Sequence, residues 1–310
     1  MKKIASIMVA TDMSTCAVMA EKRAAMLCTQ LGVDSLDIIN VQDLSVIDML
    51  TRALKSPTDE TKRVVREGLA ADLENVTRRL KDSYGIDSKL VIRFGKPAHE
   101  ITTRVIGEKI GLLVVGAHGN DPGSDLFLGN LPSKLLQFNP CPLLIVRKTP
   151  RAEYRKIIVA VDFSEISLYL AQQALAIATP ETEIVLIHAY EVPNEGMMRY
   201  ASVSEGLLHE FRSSLRLKAG AEMQEFISQL NIPNPVTPVI QFGVPSVVLK
   251  EHIDSRKPDL IVMGKHGRTR LEEFLLGSTT RNTINETDCD ILVVPPAAID
   301  RDLGLGGKGL

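Results

Sequence analysis

Short, unbroken runs of apolar residues, rich in Val and Ile, alternate along the chain with longer stretches in which apolar residues recur every three or four positions. Runs such as "LLVV" (112–115), "IIVAV" (157–161) and "ILVV" (291–294) have no polar member to face water, so they predict strands buried on both faces. The longer stretches, of which "LLHEFRSSLRLKAGAEMQEFISQL" (207–230) is the clearest, predict helices that lay one face on a sheet and leave their charges in solvent. Strands that alternate with helices in this way predict a parallel sheet covered on both sides.

The pattern is written twice. "KKIASIMVATDMS" (2–14) recurs as "YRKIIVAVDFS" (154–164), and "IRFGKPAHEI" (92–101) as "IQFGVPSVVL" (240–249). "IGLLVVGAHG" (110–119) recurs as "PDLIVMGKHG" (258–267), and "CPLLIVRKTP" (141–150) as "CDILVVPPAA" (289–298). Landmarks in the same order at nearly constant spacing mean a duplicated domain. The expected fold class is α/β: two tandem doubly wound domains, each a five-stranded parallel sheet flanked by helices. The domains are expected at 1–149 and 153–298, separated near Pro150, with a flexible glycine-rich tail at 299–310. In the second copy the strands are expected at 156–161, 183–188, 236–241, 260–263 and 291–294. Where the last strand of each copy lies at a sheet edge it needs a partner. Pairing of the two edges would make an internal pseudo-dimer; a covering helix or loop is the alternative.

Composition narrows the partners. At 310 residues, with 45% hydrophobic and 24% charged residues and a formal net charge of -2, the chain is ordinary for a soluble protein of two domains. That charge gives no long-range attraction to nucleic acid or to an anionic membrane. The start, "MKKIASIMVATDMS", resembles a secretory leader, but Asp12 interrupts the apolar run and it reads as a first buried strand. Other apolar runs fall far short of the ~20 residues that cross a bilayer. A cytoplasmic protein without membrane insertion is expected. Cys16, Cys28, Cys141 and Cys289 form neither a CxxC pair nor a zinc spacing, and no structural metal is expected. His188, inside "IVLIHAY", reads as a hydrogen-bonded core residue.

One segment carries candidate chemistry. "GKHGRTRLEEFLLGS" (264–278) follows the strand "DLIVM", and ligands of open parallel sheets sit at the carboxyl ends of strands. Gly264, Gly267 and Gly277 permit close backbone approach or positive φ, and Ser278 is the expected N-cap of the next helix. The free amides of Thr279 and Thr280 would then offer donors to an anion, reinforced by the helix dipole and by Lys265, Arg268 and Arg270. A mobile strand-to-helix connection is the plainer reading. Asp162, at the end of "VAVDFS", faces the same expected crevice, as a hydrogen-bond acceptor for an adenine amino group or ribose hydroxyl or as a helix cap beside Ser164.

With those residues in view the chain resembles a tandem member of the universal stress protein family over nearly its whole length. Its most specific match is the nucleotide motif G-x2-G-x9-G-[S/T], met by Gly264, Gly267, Gly277 and Ser278. The resemblance implies ATP binding in the second copy. Asp162 and the backbone at Ala189 would contact the adenosine, Met263 would line the base pocket, and Gly264, Gly267, Gly277, Ser278 and Thr279 would hold ribose and phosphates. Magnesium could accompany the phosphates, with Ser278 its plausible protein contact.

The first copy departs from this motif. Gly116, Gly119 and Gly129 remain, but Asn130 stands where Ser or Thr is required and Pro132 alters the next helix start. Asp121 and Asp125 occupy the loop, with no Lys or Arg between Ala117 and Asn130, so a triphosphate would meet repulsion. Asp12 and Val41 keep the adenosine-side positions. The first crevice is therefore empty, holds a nucleoside or unrelated small ligand, or serves to pair with its twin.

The leading functional expectation is a stress-response or regulatory protein that holds an adenine nucleotide and signals its occupancy to a protein partner not identified by the sequence. Neither a GxxxxGK[ST] loop nor a motif-placed general base is present, so ATPase activity, if any, is expected to be slow. The alternatives are an ATP-using enzyme with Asp162 or His266 as acid–base group, and a carrier of an apolar or lipid-like molecule in the first crevice. A further homodimer is compatible with either.

Overall fold

The computed structural model describes residues 4–119, 128–230, 233–266 and 276–298, which belong to two compact units. One comprises Met1–Glu153 with Leu292–Leu310, the other Tyr154–Ile291.

The first unit runs β1 (Ile7–Ala10), α1 (Thr15–Leu31), β2 (Ser35–Gln42), α2 (Leu44–Leu54), α3 (Thr58–Tyr84) and β3 (Asp87–Phe94). It continues through α4 (Pro97–Gly107), β4 (Leu112–Gly116), α5 (Asn130–Phe138) and β5 (Leu143–Val146). Parallel pairing gives the order β3-β2-β1-β4-β5. Every residue of β1 and β4 is buried, as expected of strands covered on both faces. The chain builds outward from β1 through β2 to β3 and then returns to the other side of β1 at β4. A crevice opens at such a reversal, above the carboxyl ends of the two strands.

The second unit repeats this plan with β6 (Lys156–Ala160), α6 (Glu165–Ile177), β7 (Glu183–Tyr190), α7 (Glu195–Tyr200), α8 (Glu205–Gln229) and β8 (Val236–Phe242). After α9 (Pro245–Arg256), β9 (Leu260–Gly264) and α10 (Ser278–Glu286) comes β10 (Asp290–Val294), which straddles the division between the units. Parallel pairing gives β9-β6-β7-β8, so the reversal lies between β6 and β9. All five expected strands of this copy are present, each within two residues of its expected limits.

Local chemistry sets several boundaries. Ser14, Ser164 and Ser204 cap α1, α6 and α8, each hydroxyl accepting the N–H three residues on. Gly32 and Gly85 end α1 and α3 in left-handed conformations, with φ of 63° and 70°. Helix α8 buries Leu208, Ala219, Met223 and Phe226, a spacing that returns one stripe to the sheet. Among the described residues no helix is long and apolar enough to cross a membrane. All four cysteines are free thiols, and Cys28, Cys141 and Cys289 are buried. The expected tail, 299–310, lies outside the described residues.

A candidate nucleotide cleft at the strand exits

In the second unit a cleft of about 550 Å³ opens above the ends of β6, β7 and β9. That volume is within the ~300–1,000 Å³ range of small-molecule sites. Of the residues expected from the sequence, Asp162, Ala189, Met263, Gly264, Gly277, Ser278 and Thr279 all line it. Gly267, Arg268 and Arg270 lie outside the described residues. Ile166, Leu170, Pro245 and Leu249 add apolar walls.

Asp162 leaves β6 just before Phe163, whose φ of 60° turns the chain into α6. Its Oδ1 accepts hydrogen bonds from the Ser164 N–H (3.1 Å), the Ser164 hydroxyl (2.5 Å) and the Ser167 hydroxyl (2.6 Å). The Ser167 hydroxyl in turn accepts the Asp162 N–H at 2.8 Å. The carboxylate is thus both part of the helix cap and a wall of the cleft.

Helix α10, whose start also lines the cleft, begins differently from the sequence expectation. Gly277, with φ -57° and ψ 147°, occupies the N-cap, and the Arg281 N–H closes the first helical turn onto its carbonyl at 2.9 Å. Ser278 is therefore the first helical residue and not the cap, so the amides of Ser278, Thr279 and Thr280 are the first-turn donors. Gly277 and Gly264 have no positive φ; their reason is space. A Cβ on Gly264 would sit 2.9 Å from the His266 carbonyl oxygen, and one on Gly277 3.3 Å from that of Lys265. The Lys265 carbonyl accepts the Gly277 N–H at 3.0 Å, while Lys265 itself is only 5% exposed and does not line the cleft. The Thr280 hydroxyl donates to the Gly264 carbonyl at 2.8 Å and fastens the helix start to the strand exit.

Residues that the sequence reading did not assign to the site also reach the cleft, among them Ser164, Ser167, His188, Tyr190 and Glu191. His188 is hydrogen-bonded as expected, its Nδ1 lying 2.9 Å from the Val161 carbonyl, and Phe163 packs on the ring at a centroid distance of 4.2 Å. A carbonyl partner fixes the proton of a neutral imidazole on Nδ1 and leaves Nε2 an acceptor. For His188 and Tyr190 the signal was period two, since alternate residues of β7, which runs to Tyr190, share one face.

The first unit keeps the frame and changes the chemistry. Met13 turns at φ 63°, Asp12 Oδ1 accepts the Ser14 N–H at 3.0 Å, and Asn40 takes the place of His188, donating to the Thr11 carbonyl at 2.8 Å. Ala17 stands where Ser167 stands in the other copy. Helix α5 also starts from a glycine N-cap, Gly129, but its third residue is Pro132, which has neither an N–H nor a hydroxyl to offer. Beneath the strand exit, Thr11 donates to the buried carboxylate of Glu21 at 2.6 Å, and Arg79 completes an ion pair with it. Burial pushes the Glu21 carboxyl above the usual carboxylate range, against the opposing pull of Thr11 and Arg79. The corresponding positions of the second copy are Val161 and Ala171. Asp121 and Asp125 lie outside the described residues.

The family model described as "Universal stress protein family" matches residues 3–147 and again 153–295. Universal stress protein E of Escherichia coli (strain K12) is 25% identical over 291 residues, covering 89% of this chain and 89% of that protein. A universal stress protein of Methanocaldococcus jannaschii is 33% identical over 148 residues, covering 46% of this chain and 82% of its own. Among solved structures, a universal stress protein from Archaeoglobus fulgidus DSM 4304 superposes with a TM-score of 0.64 at 18% identity. The match covers 95% of this chain and 99% of that one, a likeness of fold.

Proposed function

The chain belongs to the universal stress protein family, and on that premise we propose that its second half holds ATP and that occupancy, not turnover, is the signal it delivers. One observation carries this reading. The open end of α10 and the fixed carboxylate of Asp162 line a single cleft that also has apolar walls. Helix N-termini bind phosphate through free amides and the helix dipole. An acceptor-only carboxylate suits an adenine amino group or a ribose hydroxyl. In this reading Asp162 and the backbone at Ala189 meet the adenosine, Met263 lines the base pocket, and Gly264, Gly277, Ser278 and Thr279 hold ribose and phosphates. Magnesium, where it accompanies the phosphates, has the Ser278 hydroxyl as its protein contact.

Turnover is not part of the reading. Asp162 commits Oδ1 to three donors, which suits a held acceptor better than a proton shuttle. The first half, with Pro132 in its helix start and Asp121 and Asp125 in its loop, is read as holding no triphosphate. Equilibrium dialysis of labelled ATP against the full chain is expected to saturate at about one nucleotide per chain, with adenosine competing. Failure to retain ATP at millimolar concentration would contradict the proposal.

A further inference from the structure

We propose that Ser167 is a positioning residue for nucleotide recognition: its hydroxyl clamps the Asp162 carboxylate in the orientation that meets the nucleoside. This rests on the nucleotide reading above and adds to it a specific device.

A carboxylate at a strand exit is free to rotate unless something holds it. Here the Ser167 hydroxyl uses both of its capacities on the same residue, accepting the Asp162 N–H at 2.8 Å and donating to Asp162 Oδ1 at 2.6 Å. The ring so closed ties backbone and side chain of Asp162 to one atom. Ser167 can serve as that anchor because it is itself fixed. It sits in the first turn of α6, is 2% exposed, and its N–H is held at 3.3 Å by the Ser164 hydroxyl. Ser164 supplies the remaining donors to Oδ1, but Ser164 caps the helix and its equivalent, Ser14, does the same in the first copy. Ser167 is where the copies diverge: Ala17, with no hydroxyl, occupies the matching position, where the Ala17 N–H is capped by Ser14 at 3.2 Å. Asp12 is correspondingly exposed, whereas Asp162 is half-buried. The internal duplicate therefore retains the serine that caps the helix but has no hydroxyl at the position of Ser167. A role in helix capping alone would leave Ser167 and Ala17 interchangeable.

The test is a double-mutant cycle on the full chain, with Ser167→Ala, Asp162→Ala and the double variant titrated with adenosine, ATP and tripolyphosphate. Ser167→Ala is expected to weaken adenosine and ATP by the same factor, roughly five- to tenfold, the scale of one typical hydrogen bond, and to leave tripolyphosphate unchanged. In the Asp162→Ala background the same substitution is expected to cost nothing further, because its effect passes through that carboxylate. Ser167→Cys, close in volume and a weak donor, is expected to fall between, which keeps the test available if the alanine variant folds poorly. Unchanged adenosine affinity in a folded Ser167→Ala protein, or equal losses with and without Asp162, would overturn the proposal while leaving the nucleotide reading intact. Absence of adenosine and ATP binding by the unaltered chain would overturn both together.

Discussion

Asp12 and Asp162 leave their strands in the same way, each followed by a residue at positive φ and a serine that caps the next helix, yet the surroundings of the two carboxylates differ at every level. In the second copy the aspartate is held by two serine hydroxyls, stands half-buried, and lines the same cleft as a helix start with a full set of first-turn amides. In the first copy the aspartate is exposed, helix α5 carries Pro132 in its first turn, and polarity has moved inward, to the buried Thr11 and Glu21, which the exposed Arg79 joins in an ion pair. The backbone frame survives with its chemistry removed, which separates what the fold needs from what a ligand needs. Positive φ at Met13 and Phe163 and glycine at 116 and 264 are common to both copies; Ser167, Thr280 and the apolar pair Val161 and Ala171 belong to the second copy alone.

Substitution at the paired positions tests this division. The largest effect is expected from the aspartates. Asp162→Ala should weaken ATP by about 30- to 100-fold, the scale of charge-assisted hydrogen bonds lost, while Asp12→Ala leaves ATP affinity unchanged; titration of each variant checks the contrast. Exchanging the helix starts comes next. Thr280→Pro removes an amide and the hydroxyl that fastens Gly264, and should cost about tenfold in ATP affinity. Proline in a first turn is tolerated by the helix itself, so circular dichroism should show the fold retained. Pro132→Thr alone should confer no second nucleotide site, because Asp121 and Asp125 remain in its loop.

The smallest effect concerns stability. Because burial raises the Glu21 carboxyl, the folded chain holds that proton more tightly than the unfolded chain does. Stability attributable to this group is then greatest below the usual carboxylate range and falls as pH rises through the raised value. Thermal denaturation across acidic pH should show that slope, and Glu21→Gln should flatten it. No equivalent slope is expected from the second copy, where Ala171 stands in its place.

The strands were legible in the sequence because a β-branched run without polar members has few other uses in a parallel sheet. Helices α2 and α7 were not read from the sequence, which singled out only 207–230 within the second long crossover. At the site, glycine spacing located Gly264 and Gly277, but the helix start was placed one residue late. A serine after a glycine reads as a cap, and only the extended backbone of Gly277 and the Arg281 bond assign that place to the glycine. Lys265 is legible in the sequence as local positive charge, but its burial and the tie of its carbonyl to the Gly277 N–H are not. Ser167 escaped notice as one more polar residue at the start of an amphipathic helix, whose role depends on a partner five residues earlier.

The most direct test of an asymmetric pair is calorimetric titration of ATP into the full chain and into Gly277→Asp and Gly129→Asp. The two glycines are matched controls: both cap their helices in extended conformation, and a Cβ would meet backbone oxygen at 3.3 Å on Gly277 and 3.2 Å on Gly129. The account predicts one ATP per chain, lost in Gly277→Asp through a carboxylate set against the phosphates and retained in Gly129→Asp. Binding that survives Gly277→Asp and disappears in Gly129→Asp, or a stoichiometry of two ATP per chain, would contradict it.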